Sequence, residues 1–116
     1  MKFMSDSGNS ITKTYDLLKW LLPIVSRFPK DKRYTIGQRL ENKLLDILEL
    51  LLWANYSKDK LDILKKANIE LECFRYLIRL SADLRFINLK RYEFISQQVN
   101  EVGRLIGGWI KNVPAR

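Results

Sequence analysis

Two carboxylate pairs stand at helical spacing in this chain, Asp46 with Glu49 and Asp59 with Asp62. Such pairs serve general acid–base chemistry, or a dimetal site inside a helical bundle. Both uses need partners that this sequence lacks. It contains no histidine, which removes the commonest base near neutral pH and the commonest metal ligand. The single cysteine, Cys73, makes neither a thiolate metal site nor an internal disulfide. No phosphate-cradling glycine loop, G-x-S-x-G or H-E-x-x-H is present. Lysines stand close to the carboxylates, as Lys65 and Lys66 do to Asp62, so solvated or ion-paired surface is their expected state. The chain is therefore expected not to be an enzyme and to carry no cofactor and no metal. Cys73 is expected to be a buried, inert thiol, compatible with a reducing compartment.

The chemistry that remains is cationic. The 21 lysines and arginines outnumber 13 aspartates and glutamates, for a formal charge of +8. Lys30, Lys32 and Arg33 cluster in a first polar turn, and Arg39 and Lys43 stand four apart beyond it. Arg75 and Arg79 are also four apart, Arg85, Lys90 and Arg91 surround a later turn, and Arg104 and Lys111 lie near the end. Intrahelical pairs, Glu72 with Arg75 and Arg79 with Asp83, would stabilise by only ~0.2–0.5 kcal/mol each and leave the excess charge unexplained. Arginine forks suit bidentate contacts to phosphate or carboxylate. A polyanion is the expected partner: nucleic acid first, then an acidic protein or an anionic membrane surface. With no base-reading motif, binding to RNA or DNA should be weakly sequence-specific. Tyr34 beside Arg33, and Tyr92 beside Arg91, either stack on bases or cap the end of the core.

These residues must be positioned by helices. Hydrophobic spacing predicts four, with no convincing strand: about 12–28, 35–55, 57–85 and 92–110. The first shows Tyr15, Leu18, Leu22 and Val25 at helical spacing, and Pro23 inside it predicts a kink or a boundary near Leu22. Pro29 through Arg33 reads as a turn, and Thr35 and Ser57 as N-caps. The second has a core face of Ile36, Leu40, Leu44, Ile47 and Leu51. The third runs through Leu64, Ala67, Leu71, Phe74 and Ile78, and the fourth through Phe94 or Ile95, Val99, Val102 and Ile106. Short connections between long helices imply antiparallel neighbours, so the expected class is all-α, an up-down-up-down four-helix bundle. Its expected division is a flexible leader at 1–11, the bundle at 12–111 and a tail at 112–116.

Within the second helix, Leu44–Trp53 reads LLDILELLLW, interrupted only by Asp46 and Glu49. A bundle helix needs an apolar stripe only somewhat over ~100° wide. The excess, with Leu50 expected to face outward, points to self-assembly. Gly103 and Gly107 form G-x-x-x-G with Gly108 adjacent: either another helix approaches closely there, or the pair marks the helix end. The first residues lack the apolar core of a secretory signal, and no apolar run approaches the ~20 residues of a membrane span, so cytoplasmic residence is expected.

These segments also carry a family likeness. YDLLKWLLPIVSRFPKDKRYTIGQRL at 15–40, LLDILELLLWA at 44–54, RYLIRLSADLRFI at 75–87 and YEFISQQVNEVGRLIGGWIK at 92–111 together resemble the Avd proteins. These are the accessory variability determinants of diversity-generating retroelements, related to the four-helix-bundle proteins encoded in ribosomal RNA intervening sequences. The resemblance implies a basic bundle assembled as a ring-like homopentamer, itself without catalytic activity. It further implies association with the element's reverse transcriptase and template RNA or its cDNA, supporting mutagenic copying. The alternative is an RNA-associated or structural bundle with no polymerase partner.

Overall fold

The computed structural model describes residues 6–114. Four long helices carry the architecture: α1 (Asp6–Val25), α3 (Gln38–Tyr56), α4 (Lys60–Asp83) and α5 (Leu89–Lys111). A single turn, α2 (Lys30–Lys32), runs through a π-helical turn at Arg33–Gly37 directly into α3. Among the described residues there is no strand. Each long helix packs on two others, α1 on α3 and α5, and α4 on α3 and α5, which closes the expected antiparallel four-helix bundle. No helix of the described residues is long and apolar enough to cross a membrane.

The core faces of α3 and α4 fall where the spacing puts them. Leu40, Leu44, Ile47 and Leu51 are fully buried, as are Leu64, Ala67 and Phe74; Ile36 is only half-buried. In α5 the core residue is Ile95, and Phe94 is exposed on its outer edge, where its ring lies 5.0 Å from that of Trp20 on α1.

The face expected for α1 is half right: Leu18 and Val25 are buried. Tyr15 and Leu22 are exposed, and the buried face is Ser10, Thr14, Leu17, Leu18, Leu21, Ile24 and Val25. Two polar residues disguise it. Ser10 Oγ donates to the Ser7 carbonyl at 2.7 Å and Thr14 Oγ1 to the Ser10 carbonyl at 2.8 Å, so both hydroxyls enter the core already satisfied. Residues 6–11, expected in the leader, are therefore the first turns of α1, and residues 1–5 lie outside the described residues. Pro23 sits in the last turn of α1, where the helix is ending.

Other boundaries also move. The second helical segment begins at Lys30, with Pro29 as its N-cap, still extended at ψ 141°, and Thr35 lies within the π-helical turn instead of capping. Gly37 is needed there: a Cβ would stand 2.6 Å from Val25 Cγ1 at the end of α1. Ser57 closes α3, and its Oγ accepts from Asp59 N at 3.0 Å, while Lys60 Nζ donates to the Ala54 and Ser57 carbonyls at 2.8 and 2.9 Å. A cation over open carbonyls is favourable electrostatically. The α5 helix starts three residues earlier than its periodicity suggests, because Asn88 Oδ1 accepts from Arg91 N at 2.8 Å as an N-cap.

Two of the three glycines of α5 make room for side chains of neighbouring helices. A Cβ at Gly103 would crowd the Arg75 guanidinium, one at Gly108 would collide with the Asp6 carboxylate, and Gly107 faces open space. The helix continues past all three to Lys111.

Candidate nucleic-acid interface

The antiparallel topology brings the first polar turn and the α4–α5 connection to the same end of the bundle. Phe28, buried after α1, and Phe86, after α4, meet with ring centroids 5.5 Å apart. Around this aromatic contact stand Lys30, Lys32 and Arg33 from one connection, Arg85 from the other, and Lys90 and Arg91 from the first turn of α5. Arg27, exposed just after α1, joins them and was not singled out from sequence. The local carboxylates are Asp31, Asp83 and Glu93, and among the described residues the one ion pair they form is an exposed contact of 3.6 Å from Asp31 to Lys32. Such a pair is worth little. Arg33 lies partly buried, and its Nε is the one buried side-chain nitrogen or oxygen without a partner among the described residues.

The backbone of the second connection is unusual. Arg85 has φ of +63°, a left-handed conformation that costs a residue with a Cβ roughly 1–2 kcal/mol. Phe86 N donates to the Ser81 carbonyl at 2.8 Å and Arg85 N to the Ala82 carbonyl at 3.0 Å. Together these bonds make a Schellman C-cap in which glycine would be the usual occupant.

The remaining expected cations divide into free and engaged. Arg39, in the first turn of α3, and Arg79, near the end of α4, are exposed and have no ion pair among the described residues, so Arg79 does not take the alternative of pairing with Asp83. Lys43 is held by Glu70 at 2.9 Å between α3 and α4. Arg75 is paired with Glu72, as their spacing of three allows, and Arg104 with Glu101. The Arg104 hydrogen bond draws the Glu101 carboxyl below its ordinary range. Arg104 and Lys111 lie on the far part of α5, away from the basic end. Of the cations singled out from sequence, Lys43, Arg75 and Arg104 are thus ion-paired and Lys111 stands apart from the basic end.

Cys73 is exposed, contrary to expectation, because Leu71 and Phe74 take the core positions on either side. Leu50 is half-buried beside Lys66 and Glu70, so the outward apolar positions of α3 are instead Leu45, Leu52 and Trp53, the last 70% exposed. Among the described residues no group of three or more acidic or cysteine side chains is placed to hold a metal ion.

A family model described as bAvd-like matches residues 10–113, which spans all four long helices except the first turn of α1. No curated protein matches the chain.

Proposed function

The chain belongs to the bAvd-like family, the Avd-like accessory proteins of diversity-generating retroelements, and from that membership we propose a non-enzymatic partner of the element's reverse transcriptase. In this reading it holds template RNA, or the cDNA copied from it, against its basic end and so supports mutagenic reverse transcription. The observation that carries the proposal is the gathering of two separate cationic clusters around the Phe28–Phe86 contact with few carboxylates between them. A concentrated field of this kind attracts a phosphate backbone without needing base contacts. Engagement of Arg75, Arg104 and Lys43 with glutamates supports leaving these three out of the interface.

Self-assembly belongs to the same reading. Leu45, Leu52 and Trp53 form an exposed apolar surface that a second copy would cover, and the family resemblance makes a homopentamer the expected ring. Repetition of the basic end around that ring would multiply its field.

The test is binding of single-stranded RNA over a range of salt. The log–log slope should be about −0.7 per phosphate contact, and reversing Arg33 and Arg91 to glutamate should remove roughly two contacts' worth of slope. The same reversal at Lys65 and Lys66, toward the opposite end of α4, should leave the slope unchanged. Wild-type protein should retain a cognate reverse transcriptase in a pull-down. A salt-independent affinity overturns the interface, and nucleic-acid binding without polymerase retention reduces the reading to an RNA-associated bundle.

A further inference from the structure

Beside the basic end, the π-helical turn and α3 form one wall of an open cleft of about 610 Å³, and Leu77 of α4 contributes to the other. Tyr34 stands at its mouth, 72% exposed, next to Arg33. Ile36 and Leu77, both half-buried, supply an apolar floor. Gln38 and Arg39 project from the first turn of α3 and Asn42 from the next, and none of the three side chains has a hydrogen-bond or ion-pair partner among the described residues.

We propose that this cleft receives one unstacked base of a single-stranded nucleic acid, with Tyr34 as its stacking surface. The chemistry matches a nucleobase element by element. A phenol ring offers a flat aromatic face, which every base can stack on. Two carboxamides present both donors and acceptors, as a base edge requires. Arg39 reaches the flanking phosphate, continuing the cationic surface of Lys30 and Arg33. A duplex would keep its bases stacked away from the cleft, so the occupant is a single strand.

The geometry is held before any ligand arrives. Gly37 closes the turn against Val25, so Tyr34 is carried on a segment locked to α1 and not on a loose loop. The groove between α4 and α5, bordered by Arg75 and Arg104, is larger, but Glu72 and Glu101 already occupy its guanidinium groups.

The inference rests on the nucleic-acid reading above, and the experiment separates the two. Fluorescence anisotropy compares a labelled oligoadenylate of ~12 nucleotides with an abasic strand of the same sugar–phosphate backbone. Wild-type protein should bind the oligoadenylate more tightly, by between about fivefold and a hundredfold. Tyr34→Ala should abolish that difference while leaving abasic-strand affinity, salt slope and helical content unchanged, and Tyr34→Phe should retain it. Equal, salt-dependent binding of both strands by wild type overturns the cleft and leaves the basic end intact. Binding of neither strand overturns both.

Discussion

Phe28 and Phe86 meet with tilted rings, centroids 5.5 Å apart, across two connections that are far apart in sequence, and this contact holds the two basic clusters at one end of the bundle. Phe28 is almost wholly buried. Phe28→Ala should therefore destabilise the fold by about 3–5 kcal/mol. The half-buried Phe86 should cost less on truncation, and a double-mutant cycle in urea should return a coupling of about 0.5–1.5 kcal/mol between the rings. Additive effects would mean that the rings touch without contributing jointly.

Gly37→Ala should be destabilising by about 1–3 kcal/mol, because the new methyl meets the stiff Val25 side chain and not a flexible chain end. Val25→Ala in the same chain should recover part of that loss of Gly37→Ala, as read by thermal melts of the four combinations.

Arg85→Gly should raise stability by roughly 1–2 kcal/mol by removing the left-handed penalty at the end of α4. If Arg85 contacts phosphate, the same change should also reduce the salt slope by about 0.7 on single strands. A more stable protein with weaker RNA binding is the expected pair of results, from melts and anisotropy on one sample.

Leu52→Glu should separate the assembled protein into smaller species in analytical ultracentrifugation while circular dichroism stays helical. Leu52 is 41% exposed in the isolated bundle, so a carboxylate there is tolerated by the monomer and excluded from an apolar interface. A wild-type protein that sediments as a monomer at micromolar concentration would remove the basis for this expectation.

Glu41 gives a pH-dependent test. Burial pushes its carboxyl above the ordinary range, so the folded state holds its proton more tightly than the unfolded chain does. Its relative contribution is therefore most favourable below the unfolded pKa and is lost as pH rises through the folded one. Glu41→Gln should raise the melting temperature at pH 7 and give little or no gain below about pH 4.

Much of the bundle was legible because burial and helical period coincide. Leu44, Ile47 and Leu51 could only be core, and the antiparallel order follows from short connections. The α1 face was legible only at Leu18 and Val25, because Ser10 and Thr14 hide their hydroxyls against the preceding turn and read as solvent-facing. The Asn88 cap and Pro29 just before Lys30 were available as local signals, yet an interrupted apolar pattern outweighed them. For the site, adjacency in sequence makes Lys30–Arg33 and Arg85–Arg91 legible as clusters, each around one connection, but does not show that the two share one end of the bundle. It could not separate Arg79 from Arg75, because whether a neighbouring glutamate closes on an arginine depends on rotamers and on the space left by Gly103.

The closure of α1 against α5 also constrains the order of folding. Lys13 Nζ donates to Gln98 at 3.1 Å, Trp20 meets Phe94, and Asp6 lies against Gly108, so the first long helix completes its packing on the last. A chain emerging from the ribosome pairs α1 with α3 and α3 with α4 early, yet leaves the inner stripes of α1 and α4 uncovered until α5 is made. Those stripes are apolar and adhesive for as long as synthesis takes, at roughly 5–20 residues per second. Pausing within the α5 coding segment should therefore favour aggregation more than pausing after it.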